Sequence, residues 1–427
     1  MNTTTNRTDH LALFGGPKVR EAPFPARGHI GAEEKAAVDA LFDAAIASGD
    51  APGYNGPAET AYCDAFAAYM GAGYADGVGY ADAVSSGTAG LYVALRALDL
   101  EPFTEVIVGA VTDPGGMMPI PLLNLIPIVA DTAPDSYNTG PEQVAACLSP
   151  HTSAIVVPHI GGEPADVAGI VEIARQRGIP VIEDCAQAHG ARLHGRLLGT
   201  IGDIGVFSTM FGKHHSTGGQ GGVVYTRDAA LYHAIRRASD RGKPFFLPEG
   251  SGNVSAALNL NLNDLAAAIG SVQLRKLPGI VQRRRYIVAQ LARGLESLQT
   301  VSIPAPLPGS EPTYWFLRMR FHAEKAACDK ATFCAALAAE ELPIAADYRA
   351  ALPHTMPWFT ERRVFGSSGY PWASPAYTGD PDRQFPCPNA QAAMDAHFNL
   401  YVHEGWKDSD VADAVAIFAK VDAAYRR

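Results

Sequence analysis

Between about residue 80 and residue 226, short apolar runs alternate with stretches of helical periodicity. The runs are VIVGAV (106–111), IPIVAD (126–131), SAIVVPH (153–159), IPVIED (179–184), IGVFST (204–209) and GGVVYT (221–226). They are rich in Val and Ile and mostly apolar on both faces. That is the pattern of strands in a parallel sheet covered by helices on each side. Between them, SGTAGLYVALRAL (86–98) sets Leu91, Leu95 and Leu98 at spacings of four and three. DVAGIVEIARQRG (166–178) carries Val167, Ile170, Ile173 and Ala174 and reaches a helix stop at Gly178. The repeated order strand, helix, strand predicts an α/β domain. A further helix is expected over 263–276, with Asn263 or Asp264 as its cap.

The texture changes after Leu277-Pro278. A basic, helix-like stretch, VQRRRYIVAQLARGLESL, leads into the Pro-rich link PAPLPGSEP. A strand (YWFLRMRF, 314–321), a helix (KATFCAALAAEE) and a second strand (LPIAADY, 342–348) follow. Segment 353–387 reads as a long loop dense in Pro, Gly, Ser and Tyr, and loops of that length are often functional. Two helices close the chain. The expected division is a large domain over 1–275, with an N-terminal tail, and a smaller α+β domain over 276–427.

Composition narrows the function classes. A formal net charge of -10 over 427 residues argues against nonspecific nucleic-acid binding, which needs basic patches. No run of about 18 apolar residues appears, so no membrane span is expected. The stretch MNTTTNRTDH has no apolar core and reads as a polar tail rather than a signal peptide. The six cysteines, at 63, 147, 185, 328, 334 and 387, form no CxxC pair and no zinc-site spacing. They read as reduced thiols of a cytoplasmic protein.

In open α/β sheets the ligand sits at the carboxyl ends of the strands, and four places there carry polar groups. Ser85-Ser86-Gly87-Thr88 opens the 86–98 helix, where free N–H groups suit a phosphate; ordinary helix capping explains the same residues. Glu183-Asp184 ends a strand, and a carboxylate there can keep a pyridine nitrogen protonated. It can equally cap a loop or bind a metal. Lys213 follows a buried strand through FSTMFGKHH and precedes a glycine-rich run. A lysine hemmed in by apolar and glycine residues is a candidate Schiff-base former; a surface lysine is the plain alternative. His214 and His215 lack a third ligand at suitable spacing, so no metal is expected. Asn259, in NLNLNDLAAAIG, reads by itself as part of a polar turn. The glycines of GTIGDIG (199–205) and GAGYADGVG (71–79) do not form a dinucleotide-binding loop.

Taken together, LALFGGPKVR (11–20), SSGTAGLYVALRAL, EDCAQAHGA (183–191), GDIGVFSTMFGK (202–213), GGVVYT and NDLAAAIGSVQLRKL (263–277) resemble the DegT/DnrJ/EryC1/StrS family of pyridoxal-phosphate aminotransferases, of fold type I. The resemblance implies a large domain around a central, mostly parallel sheet and a smaller C-terminal α+β domain. It matches Lys213 to the lysine that holds the cofactor and moves the proton, and Asp184 to the aspartate at the ring nitrogen. Gln187 matches a residue near the ring hydroxyl. Gly87, Thr88 and Ser208 match phosphate contacts. Asn259 matches an asparagine reaching the phosphate of the other subunit, which implies a homodimer with shared sites.

Three departures stand out. Asp113, in TDPGG, occupies a place where the family often stacks an aromatic ring on the cofactor. Glu163 stands where Gln is frequent. The run after Lys213 is one residue longer than usual, so alignment from the following glycines puts His214 at the lysine position; some relatives carry His there and act as deoxysugar dehydratases. Alignment from Phe207-Ser208 puts Lys213 there and is preferred. The expected activity is transfer of an amino group from glutamate or glutamine to a keto-sugar, nucleotide-activated, or a keto-cyclitol. The alternatives are a cofactor-dependent dehydratase or lyase, or a non-catalytic cofactor-binding regulator. His159, Glu163, His214 and His403 are candidate substrate contacts, and loop 353–387 with FNLYVHEGW (398–406) is expected to shape the acceptor pocket.

Overall fold

The computed structural model describes residues 8–71 and 77–427. Most of the polar N-terminal stretch (1–7) and the middle of the glycine-rich run 71–79 (72–76) lie outside the described residues. Seven strands, β1 (Tyr80–Val84), β2 (Glu105–Gly109), β3 (Ile126–Ala130), β4 (Thr152–Pro158), β5 (Val181–Asp184), β6 (Ile204–Ser208) and β7 (Gly222–Thr226), form one sheet in the order β1-β7-β6-β5-β4-β2-β3. Neighbours from β6 through β3 pair in parallel. Strand β7 runs antiparallel to both β1 and β6. The apolar pattern alone predicted parallel pairing for this strand too. Parallel pairing needs a long crossover, usually a helix, and residues 209–221 form turns without one. Strand β1 was not anticipated because Asp82 interrupts its apolar run; that carboxylate is buried against Arg236.

Both faces of the sheet are covered. Ile107 and Ile155 point into one apolar cluster, with Phe66, Phe207 and Tyr225. Their strand neighbours Val106, Val108 and Val156 point into the other, with Leu91, Leu95 and Val206. This alternation follows from the period of two in a strand. The expected helices appear as Gly87–Ala97, capped by the Ser86 hydroxyl, and Val167–Arg175, capped by Asp166. Helices Ala32–Ser48 and Pro57–Gly71 are additional; their alanine-rich sequences carry no sharp apolar stripe.

The expected helix at 263–276 and the basic stretch after it are one helix, Asp264–Leu295, capped by the Asn263 side chain. It runs through Pro278 despite the lost backbone donor. Leu274, Leu277 and Val281 belong to the first cluster, whereas Ile287, Leu291 and Leu295 belong to a third. The expected domain boundary at 275/276 therefore falls inside a helix. The third cluster lies between a four-stranded antiparallel sheet (Val301–Ser302, Leu317–Phe321, His397–Leu400, Ile344–Ala345) and helices Lys330–Ala339 and Asp408–Tyr425. Segment 353–387 packs Phe359, Trp372, Tyr377 and Phe385 against the first cluster. Together with β3 it lines a cavity of about 360 Å³. No helix among the described residues is long and apolar enough to cross a membrane.

Candidate active site

A cavity of about 340 Å³ opens at the carboxyl ends of β2, β5 and β6 and at the N-terminus of helix Gly87–Ala97. Gly87, Thr88, Asp113, Asp184, Ser208 and Lys213 all line it, together with Ser86, Gly115, Gly116, Met210 and Gln220. Residues from 353–387 and 398–406 do not.

Lys213 sits on the turn after β6 and is 7% exposed. Burial lowers its ammonium to a pKa of about 8, although Asp184 and Asp113 pull it upward. Its Nζ lies 3.7 Å from the centre of the Trp315 ring. Asp184 ends β5 and accepts the Ala186 N–H at 3.1 Å. Burial raises its carboxyl above the ordinary range, opposed by that N–H and by Lys213. The two groups therefore support each other's charge, but burial weakens both by more.

The helix start is shaped for an anion. The first N–H groups of a helix have no intrahelical acceptor. The Ser86 hydroxyl accepts that of Ala89 at 3.0 Å, while Gly87 and Thr88, at the helix start, line the cavity together with Ser86 and Ser208. A Cβ on Gly87 would stand 2.7 Å from the Ser208 Cβ, so glycine is what lets this helix approach β6. A Cβ on Gly115 would strike the Thr88 hydroxyl at 2.1 Å. Asp113 caps the turn Pro114–Gly116 by accepting the Gly115 N–H at 2.9 Å. A phosphate at the helix start, a ring nitrogen at Asp184 and a carbonyl carbon at Lys213 all find complementary groups, so this cavity fits pyridoxal phosphate.

The remaining expected residues lie elsewhere. Gln187 is buried; its Oε1 accepts the Gly161 N–H at 2.7 Å and its Nε2 faces the Tyr348 hydroxyl at 3.5 Å. Asn259 is exposed and forms a bridge with Asp240. His214 is buried with its Nε2 bonded to the Thr313 carbonyl at 3.0 Å, and burial holds its ring well below the usual imidazole range. His159 accepts the Ala165 N–H on Nδ1 and donates from Nε2 to Glu183 at 3.2 Å. Glu163 pairs with Arg318 at 3.0 Å and lines a separate cavity. His403 donates to the Pro25 carbonyl at 2.9 Å. Each polar group near a strand end thus has a backbone or ionic partner that the sequence does not reveal.

His159, Glu183 and Cys185 bring ligand atoms within 4.8 Å of one another. Glu183 already accepts three backbone N–H groups, from Gly199, Ile201 and Gly202. Both nitrogens of His159 are engaged, so the cluster has no free imidazole lone pair for a metal. Glu183 is the loop-capping carboxylate and Asp184 the one facing the cavity. Sequence reasoning did not find Trp315 or Gln220. Nothing in local spacing marks Trp315, which reaches Lys213 across about 100 residues of chain.

A mostly parallel sheet with a buried lysine, a buried carboxylate and a helix N-terminus meeting at its carboxyl edge defines a pyridoxal-phosphate fold of type I. The family model of the DegT/DnrJ/EryC1/StrS aminotransferases matches residues 32–419, and the chain belongs to that family. Its aminotransferases are pyridoxal-phosphate enzymes. The chain is 34% identical over 250 residues to a dTDP-4-dehydro-2,3,6-trideoxy-D-glucose 4-aminotransferase of Saccharopolyspora spinosa, covering 54% of this chain and 64% of that one. It is 32% identical over 290 residues, 67% of each chain, to a putative L-glutamine:3-amino-2,3-dideoxy-scyllo-inosose aminotransferase of Streptomyces kanamyceticus. The crystal structure of the aminotransferase TlmJ from Streptoalloteichus hindustanus superposes with a TM-score of 0.75 at 29% identity, over 93% of this chain and 97% of that one.

Proposed function

We propose that this chain is a transaminase that moves an amino group from glutamate or glutamine to the ketone of a keto-sugar, nucleotide-activated, or of a keto-cyclitol, as a homodimer with sites shared between subunits. The observation that carries this reading is Lys213: a buried, weakened amine in one cavity with Asp184 and the helix start at Gly87. Similarity to sugar and cyclitol aminotransferases supports the acceptor class.

Bound pyridoxal phosphate would supply an electron sink and carry the amino group between donor and acceptor. The N–H groups of Gly87 and Thr88 and the hydroxyls of Ser86, Thr88 and Ser208 would hold its phosphate. Asp184 would accept a hydrogen bond from the ring nitrogen and keep that nitrogen protonated. Lys213, whose ammonium burial lowers to a pKa of about 8, would take a proton at Nζ from the donor's Cα and return it on the acceptor side. Asn259, exposed on the 240–263 segment, would reach the cofactor phosphate of the other subunit.

The test is turnover. The protein loaded with cofactor is incubated with glutamate or glutamine and a panel of nucleotide-activated 4-keto sugars and inososes, and amino products are identified by mass spectrometry. Lys213→Ala should lower the rate at least about 100-fold. Undiminished activity in Lys213→Ala would remove the central assignment. Water release from a keto-sugar with no amino donor would favour a dehydratase, a reading that the turned-away ring of His214 does not support.

A further inference from the structure

The turn that presents Lys213 belongs to no helix or strand. A side chain on such a turn is placed only as well as its backbone is held, and here the backbone is held from outside. Three successive carbonyls accept bonds from distant side chains. Gly212 O accepts the Trp315 indole N–H at 2.9 Å. Lys213 O and His214 O accept the two terminal nitrogens of Arg27, at 2.5 and 2.8 Å. The His214 ring then ties the turn to the Thr313 carbonyl.

Arg27 is itself braced. Its Nε donates to Glu404 Oε1 at 2.7 Å, and Glu404 Oε2 accepts the Nε of Arg284 at 2.8 Å. Arg284, 2% exposed, also donates to the Tyr314 and Val402 carbonyls. Burial works against charge on Glu404, but Arg284 and Arg27 hold its carboxyl below the usual range. Arg27 therefore uses all three nitrogens of its planar fork, two on adjacent carbonyls and one on a carboxylate. An ammonium cannot reproduce that geometry.

We infer that Arg27, braced by Glu404 and Arg284, is a positioning residue for the lysine: it fixes the carbonyl of Lys213 and that of the next residue, His214, and so sets where Nζ reaches. This rests on the reading of Lys213 as the cofactor-bearing lysine. Arg27 does not line the cavity, so its effect is on reach rather than on substrate contact.

The experiment uses the full chain loaded with pyridoxal phosphate and the variants Arg27→Gln, Arg27→Lys, Glu404→Gln and Lys213→Ala. Borohydride trapping with peptide mapping locates the cofactor-linked lysine. Visible absorbance against pH reports the environment of that link. Steady-state kinetics with glutamate or glutamine separate kcat from KM. Arg27→Gln is expected to keep the trapped link at Lys213 while shifting the pH midpoint of the absorbance. Its kcat should fall by a factor on the order of 10 to 100, since misplacement by about 1 Å costs up to that much. The donor KM should stay within about two-fold, the sign of an interaction expressed in turnover rather than binding. Arg27→Lys and Glu404→Gln should fall between wild type and Arg27→Gln. A folded Arg27→Gln with wild-type kcat and titration overturns the inference. So does a loss of activity that only tracks the folded fraction, with an unmoved pH midpoint. If Arg27→Gln does not fold, the two milder variants decide, and unchanged kcat and titration in both overturn it. A trapped link that persists in Lys213→Ala would instead overturn the lysine assignment itself.

Discussion

Lys213 carries a cost that its function explains. An amine whose pKa falls from 10.5 to about 8 on folding destabilises the folded chain wherever the unfolded lysine would be charged. The unfolded chain binds more protons between those two values, so stability recovers as pH rises from about 8 to 10.5 and the full cost is present below. In cofactor-free protein, Lys213→Met is expected to raise unfolding free energy near pH 7 by on the order of 3 kcal/mol, with the gain fading at high pH. Urea titrations at pH 7 and pH 10 check this, and an equal gain at both would contradict it. At this scale the sequence was informative where chemistry and strand ends coincide. Gly87, Thr88, Asp113, Asp184, Ser208 and Lys213 meet in one cavity. It was uninformative about His159, Glu163 and His403, because a polar residue near a strand end can equally satisfy a local N–H, carbonyl or arginine, and these do.

At the scale of elements, the site depends on how closely helix Gly87–Ala97 approaches β6. The contact of Gly87 with Ser208 leaves no room for a methyl group. Gly87→Ala should therefore push the helix start away from the strand, at about 1–3 kcal/mol of stability, and weaken cofactor binding more than a change at the exposed Gly252 would. Equilibrium dialysis of pyridoxal phosphate and thermal melts measure the two effects; unchanged affinity would show that the helix start does not form the phosphate seat. Apolar runs revealed six of the seven sheet strands because those strands are buried on both faces. The reversal of β7 and the continuity of helix Asp264–Leu295 were hidden, since direction is set by the connection and a proline does not always end a helix held by packing on both halves.

Across the whole molecule, distant segments meet around buried charge. Glu59, 2% exposed at the start of helix Pro57–Gly71, faces Asp82 of β1, Arg236 of helix Ala229–Ser239, Asp264 of the long helix and the Asn55 N–H. Burial and then Asp82 push its carboxyl up to about 7, against the pull of Arg236. A raised carboxyl binds its proton more tightly folded than unfolded, so its contribution is greatest below about pH 4.5 and is lost as pH climbs to about 7. Glu59→Gln should flatten that slope, stabilising the chain at pH 8 relative to pH 5 by on the order of 3 kcal/mol when compared with wild type. Denaturant midpoints of both proteins at the two pH values provide the measurement, and parallel pH curves would exclude Glu59 as the source.

The brace on the lysine turn also bears on the order in which the protein is made. Arg27 emerges early, Lys213 near the middle, and Glu404 377 residues after Arg27. Domains tend to fold as they leave the ribosome, N-terminal parts first. The sheet can assemble from residues up to Thr226, yet the arginine that grips its lysine turn has no counter-ion until Glu404 is translated. A nascent chain halted before that point would own a nearly complete sheet and an unfinished active site, so competence for chemistry arrives late in synthesis, after most of the fold.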